Sequence, residues 1–246
     1  MPPPIVKTVK RRLRNSFDYV RYWTGEWSGL RGKHFEGHYS IWRQRRLTTI
    51  QDEYSPRFFE GKTLLELGAG YGDIGAWFAA LGAKVTCLEG RAENVKVIQE
   101  RYAFMTAMQH DLNQGLPGTE LYNIIIHLGV LYHLANPERA LRDSCQRCEH
   151  LILETEVADS DDPKFVGIVR EHAYIYDQAL DGTGCRPSPA WVERILTEEG
   201  FEFRRLEDGR CNWGLHEYDW PLLNTGRHQN GRRRMWFANK KQATSP

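Results

Sequence analysis

The chain has 246 residues, 41% of them hydrophobic and 26% charged, with a formal net charge of +1, the profile of a soluble globular protein built as one elaborated domain. No apolar run approaches the roughly 20 residues of a membrane-spanning helix. The start, MPPPIVKTVKRRLRNSF, lacks the apolar core of a secretory signal, so a cytoplasmic location is expected. Five scattered cysteines (Cys87, Cys145, Cys148, Cys185 and Cys211) read as free thiols, and no second CxxC or histidine pair completes a metal site around Cys145 and Cys148.

Charge is unevenly spread. Residues 1–60 hold twelve Lys/Arg against six Asp/Glu, residues 61–200 twelve against twenty-one, and residues 201–246 nine against five. Solvated faces vary in sign by chance, but basic flanks around an acidic middle also suit an anionic substrate held beside a cationic cofactor.

In chain order, the first sixty residues read as helical: a basic segment Ile5–Tyr22, a glycine-rich break Gly25–Gly37, and a helix from Ser40 to about Tyr54. Ser40 is the expected N-cap of that helix, with Ile41, Leu47, Ile50 and Tyr54 on its buried side. Strands and helices then alternate at a period near 20 residues, the signature of a doubly wound α/β sheet. The expected strands are Thr63–Leu67, Lys84–Leu88, Ala103–Gln109, Tyr122–His127 and His150–Glu154. Helices fall between them at Gly72–Leu81, Arg91–Arg101 and Pro137–Cys148. The unbroken runs Ile124–Ile126 and Leu151–Leu153 belong to central strands buried on both faces. A long connection, Val157–Pro187, precedes a helix Ser188–Glu199 stopped by Gly200. Strands Phe201–Leu206 and Arg234–Asn239 form an antiparallel closing pair around an aromatic, basic excursion at 208–233.

The chemistry starts at ELGAGYG. Gly68, Gly70 and Gly72 follow the first strand at two-residue spacing, so the backbone turns tightly beside a ligand. Nicotinamide-binding folds share such a turn. Here Asp73 stands where GxGxxG needs its third glycine, and Glu66 precedes the turn, which disfavours a pyrophosphate and suits a cationic ligand. Glu89 ends the second strand, placed to accept from a ribose diol. Asp111 ends the third, with Leu112 beside it to cover an adenine ring.

These residues resemble class I S-adenosylmethionine-dependent methyltransferases, over about Lys62–Leu206, with HLGVLYHL at His127–Leu134 as the fourth-strand motif. GVLYHLANPERAL, LILETEV and PSxxWxxxxLxxxGF are most similar to the branch that contains the tRNA wobble-uridine carboxymethyltransferase. The resemblance implies a Rossmann-like fold: a mostly parallel seven-stranded sheet with an antiparallel last strand, preceded by N-terminal helices. It implies a basic extension over 1–60 and a methyltransferase domain over 61–246, with 157–187 and 208–233 as insertions on the substrate side. S-adenosylmethionine would be held by Glu66, Gly68, Ala69, Gly70, Gly72, Glu89, Gly90, Asp111, Leu112, His127 and Leu128.

Methyl transfer from a sulfonium is an in-line displacement in which alignment and exclusion of water supply most of the acceleration. Where the acceptor carries a proton, His133 is the first candidate base, with Glu156, His172, Tyr174 and His216 behind it. Tyr132, His172, Tyr174, Arg186, His216 and Trp220 are the expected acceptor contacts. Trp213, Tyr218, Trp220 and Trp236, set among arginines, fit a lid over a small molecule or glycan, ranked first, or a stacking surface for RNA, ranked second. Ordinary methyl transfer ranks above carboxymethyl transfer, because Arg43, Arg45 and Arg46 do not align with the residues that grip the extra carboxylate. A nicotinamide-dependent oxidoreductase and a non-catalytic binding module are the competing classes.

Overall fold

The computed structural model describes Phe35, residues 38–175 and residues 177–241. Its centre is a seven-stranded sheet of β1 (Thr63–Leu67), β2 (Lys84–Glu89), β3 (Thr106–Gln109), β4 (Tyr122–Leu128), β5 (Cys148–Ala158), β8 (Phe201–Arg205) and β9 (His228–Lys240), in the order β3-β2-β1-β4-β5-β9-β8. The first five strands are mutually parallel, and β9 runs antiparallel between β5 and β8. This is the expected Rossmann-like fold. Strand order reverses between β1 and β4, and open sheets of this kind bind ligands at the carboxyl edge beside that reversal.

Alternation along the strands sends side chains into two cores. On one face Leu65, Leu67, Ile125, Leu151 and Leu153 pack with α4 (Pro137–Gln146) and α5 (Pro189–Glu198) through Leu141, Trp191 and Ile195. On the other, Leu64, Cys87, Ile124, Ile126 and Ile152 pack with α1 (His38–Glu53), α2 (Asp73–Ala80) and α3 (Ala92–Arg101) through Ile50, Phe78 and Ile98. With helices on both faces, central strands have no polar side to show, which is why their sequence runs are continuously apolar.

Several expectations are corrected. Helix α1 spans His38–Glu53, so Ser40 lies inside it rather than at its N-cap. Its buried side carries Trp42, Arg46, Leu47, Thr49 and Ile50, while Ile41 is 45% exposed; the switch follows from a buried partner for Arg46, described below. The Cys145–Cys148 motif is split, Cys145 ending in α4 and Cys148 opening β5, and all five cysteines are buried free thiols. The connection 157–187 is not irregular throughout: β5 runs on to Ala158, and β6 (Val166–Arg170) pairs antiparallel with β7 (Thr183–Pro187). Likewise β9 begins at His228, well inside the expected excursion. The segment Ile5–Tyr22 and most of Gly25–Gly37 lie outside the described residues. Among the described residues no helix is long and apolar enough to cross a membrane, and no cluster of ligating side chains could hold a metal ion.

Candidate active site

At the carboxyl end of β1 the chain turns through Gly68, Gly70 and Gly72, whose φ values of +62°, +55° and +77° lie in the left-handed region that only glycine enters cheaply. The space left by the missing side chains is used by neighbours. A Cβ at Gly68 would fall 2.6 Å from Val130, and one at Gly70 would fall 3.2 Å from the Phe35 ring. The glycines therefore serve the turn and the packing around it. Ala69 is buried in the turn, its N–H donating to Leu88 O at 3.1 Å and so tying the turn to β2.

The acids divide by task. Glu66 is buried beneath α2, where Oε2 accepts from Gly75 N–H at 2.9 Å; burial pushes its carboxyl up to about 8. Glu89 faces the turn itself. Its Oε2 accepts from Gly70 N–H (2.8 Å) and its Oε1 from Arg91 N–H (3.0 Å) and Asn94 Nδ2 (3.3 Å). Burial raises its pKa against the pull of those donors. Asp111 caps a short turn by accepting from Asn113 N–H at 3.0 Å, beside the buried Leu112. Asp73 requires a correction: Arg43 Nη1 (2.8 Å) and the Tyr102 hydroxyl (2.6 Å) both donate to it, so its charge is matched within the protein and is not free for a cationic ligand.

Strand β4 carries His127 and Leu128 to the same edge. His127 is fully buried with no hydrogen-bond partner on either ring nitrogen, and desolvation lowers its pKa to about 4. After Gly129 and Val130, the turn Leu131–His133 presents Tyr132 and His133. His133 Nδ1 lies 2.5 Å from Glu171 Oε2, which also accepts from Ala179 N–H at 2.8 Å. Burial would raise the Glu171 carboxyl, but His133, Ala179 and Arg186 outweigh it and hold the group below the usual carboxylate range. Glu171 is thus the acceptor in this pair and His133 Nδ1 the donor.

Beyond this pair runs a chain of alternating charge. Glu171 Oε1 lies 3.3 Å from Arg186 Nη1, and Arg186 Nε lies 2.7 Å from Glu156 Oε2. Arg233 approaches Glu156 (3.4 Å) and Glu154 (2.8 Å), and Arg46 closes the far end on Glu154 at 3.3 Å. Aromatic rings line it: Arg46 lies 3.7 Å above Trp42, Tyr132 hydroxyl accepts from Arg233 Nη2 at 2.9 Å, and His216 stacks on Trp42 at 3.8 Å while accepting from Arg233 Nε. Buried charges persist only when paired, and here three arginines meet three glutamates.

Of the expected acceptor contacts, the fold brings Tyr132, Arg186 and His216 together around Arg233, adjacent to His133. His172 and Tyr174 sit on the exposed β6–β7 connection, their rings 5.4 Å apart. Trp220 is a correction: it is 4% exposed, sandwiched by Arg232 and Arg234, with its indole N–H on Arg233 O. Packing against the core removes it from an acceptor's reach. Tyr218 and Trp236 are fully buried too, so three of the four rings offered as a stacking surface are core. Glu171, Glu154, Arg46 and Trp42 escaped sequence reading. The sole signal was the Glu154–Glu156 spacing at a strand end, which points both carboxylates to one side.

Comparison with known proteins gives the family and the fold. A family model described as "Methyltransferase domain" matches residues 16–206. Ubiquinone biosynthesis O-methyltransferase of Caulobacter vibrioides is 28% identical over 140 residues, 48% of this chain and 51% of that protein. The match to the enzyme of the same name from Caulobacter sp. strain K31 has the same identity and extent. The chain spans about half the length of the curated relatives it matches. Among solved structures, the N-terminal domain of EvdMO1 in the presence of SAH and D-fucose aligns with a TM-score of 0.60 at 18% identity, covering 86% of this chain and 100% of that one. Magnesium protoporphyrin IX methyltransferase from Synechocystis PCC 6803 with bound SAH aligns at 0.57 and 19%, covering 96% and 100%. At these identities the likeness is one of fold.

Proposed function

The chain belongs to the methyltransferase-domain family, and from that premise we propose that it transfers a methyl group from S-adenosylmethionine to an oxygen of a small-molecule acceptor, with His133 as general base. The observation that carries this reading is the His133–Glu171 pair at the carboxyl edge. It stands on a turn that starts at Val130, the residue packed against Gly68 of the glycine turn.

The residues present fit the cofactor. Glu89 lies at the end of β2 with one lone pair, on Oε2, beyond the three taken by Gly70, Arg91 and Asn94, suited to a ribose hydroxyl. Asp111 and Leu112 follow β3, suited to an adenine amine and ring. The turn Gly68–Gly72 with Gly90 and Leu128 supplies walls, and the unpaired ring nitrogens of His127 are the buried polar atoms that a bound ligand would satisfy. Glu66 acts one layer further out by anchoring α2. When bound, S-adenosylmethionine supplies a methyl group on a positively charged sulfur. The protein's own part is to align the acceptor hydroxyl, to exclude water, and to take the hydroxyl proton on His133 Nε2. Glu171 holds the imidazole in the matching tautomer and stabilises the imidazolium that forms.

A small acceptor is favoured over RNA because the stacking rings are buried, and the O-methyltransferase names of the curated relatives point the same way. Plain methyl transfer is favoured over carboxymethyl transfer because Arg46, Arg186 and Arg233 are each matched by Glu154, Glu156 or Glu171, which leaves none of the three uncompensated for a cofactor carboxylate. Calorimetry with S-adenosylhomocysteine tests the reading. Binding by the parent, weakened about 10- to 100-fold in Glu89→Gln through loss of a charge-assisted contact, is the expected result. Binding of a nicotinamide dinucleotide in its place would overturn it. Incubation with S-adenosylmethionine and panels of phenols, sugars and RNA, read by mass spectrometry, then identifies the acceptor class.

A further inference from the structure

The connection between β6 and β7 joins the two halves of the site. It begins at Glu171, whose N–H donates to Gly182 O at 2.8 Å and closes the base of the loop. Within it His172 N–H donates to the Gln178 side chain at 2.7 Å, and Ala179 N–H returns to the Glu171 carboxylate at 2.8 Å. One side chain from outside grips this connection. Arg91 Nη2 donates to Ala173 O (3.0 Å), Ile175 O (2.9 Å) and Gln178 O (3.1 Å). Arg91 also donates its backbone N–H to Glu89 Oε1, and the neighbouring Gly90 receives Leu180 so closely that a Cβ there would fall 2.4 Å from Leu180 Cδ1.

We propose that Arg91 is a positioning residue for the base: by fixing the carbonyls of Ala173, Ile175 and Gln178 it holds Ala179 and Glu171 in place, and through Glu171 it locks the tautomer and direction of His133. The inference rests on the reading of His133 as base. It goes further by assigning Arg91 a role that its position next to Glu89 would otherwise explain as a wall of the cofactor site. The physical basis is that a carboxylate on a loop orients an imidazole only as well as the loop is fixed. Glu171 is ordered by a loop N–H at its own carboxylate, so slack at Ala173, Ile175 and Gln178 reaches His133 directly. Glu89, Gly90 and Arg91 thus tie the end of β2 to the base through a single connection.

The test compares Arg91→Ala, Arg91→Lys and Glu171→Gln with the parent. Long-range proton–nitrogen NMR of the histidine rings should show His133 as the Nδ1–H tautomer in the parent, a mixture in Glu171→Gln, and a similar mixture in Arg91→Ala. Arg91→Lys, whose ammonium keeps the charge and N–H donors but on a shorter, more flexible stem without the planar guanidinium, should fall between. Turnover should drop about 10- to 100-fold in Arg91→Ala, the scale of a small misplacement of a catalytic group, with the acceptor KM within about twofold of the parent. A His133 spectrum unchanged in both Arg91 variants while Glu171→Gln alters it would overturn the role of Arg91 and leave the base reading intact. A His133→Gln variant with parental turnover would sink the base reading itself. If Arg91→Ala does not fold, Arg91→Lys carries the same comparison.

Discussion

Arg233 and Glu154, 79 residues apart in sequence, meet at 2.8 Å with side chains 2% and 0% exposed. Glu154 also holds Arg46, so one carboxylate compensates two buried guanidinium groups. Glu154→Gln therefore takes from Arg46 its carboxylate partner and leaves Arg233 with Glu156 alone, and the expected cost is about 3–5 kcal/mol. Glu53→Gln, which breaks the half-exposed pair with Arg204, should leave stability within about 1 kcal/mol. Urea denaturation of the two variants makes the comparison; equal losses would mean that the buried chain of charges is not what holds α1 to β5.

Replacing His133 with Gln removes the lone pair at Nε2 while keeping a polar side chain of similar reach. Turnover should fall about 10²- to 10⁴-fold, the usual contribution of a general base. Affinity for S-adenosylhomocysteine should stay within about twofold. An acceptor that reaches the site already ionised would abolish the difference between variant and parent.

Two buried groups should tilt stability in opposite directions with pH. The His127 pKa is lowered from 6.5 to about 4 in the fold, so its contribution is present above the unfolded value and is lost as pH falls through that window. Glu66 is raised from 4.5 to about 8, so its contribution is present below the unfolded value and is lost as pH rises toward 8. One proton each, at about 1.4 kcal/mol per pH unit, makes the two slopes offset between about pH 4.5 and 6.5. In the ligand-free protein, His127→Leu should leave stability falling with pH across that window, and Glu66→Gln should leave it rising. Parallel curves for parent and variants, from denaturant melts at several pH values, would contradict the assignment.

Gly68→Ala combines two penalties: a φ of +62° and a Cβ 2.6 Å from Val130. Together these should cost about 2–4 kcal/mol. Val130→Gly in the same chain removes both the 2.6 Å contact to Cγ2 and the 2.8 Å contact to Cβ but not the backbone strain at Gly68, so the double variant should recover part of the loss. A double-mutant cycle that shows strict additivity would place the whole cost in the backbone.

Most of the sheet was legible. Strands β1, β2 and β4 stand within a residue of where periodicity put them, because a strand's burial pattern is written in its own residues. The glycine turn and the acids ending β2 and β3 were legible for the same reason. Sequence also found His133, Arg186 and His216 one at a time, with nothing to say that they lie together.

What the sequence by itself determined is therefore the local part: a doubly wound sheet whose carboxyl edge carries Gly68, Gly70, Gly72, Glu89 and Asp111, the residues proposed to hold the cofactor. Only the tertiary structure decided which charges are buried and whom they meet. Arg46 has no partner in the sequence until the fold puts Glu154 beside it, and Trp220 reads as a binding surface until the core closes over it. Glu171 reads as one acid among many until the β6–β7 connection folds it onto His133. The reason is physical: hydrophobic period is a property of neighbours along the chain, whereas a buried ion pair or an oriented imidazole exists only after distant segments have been brought within 3 Å or so of each other.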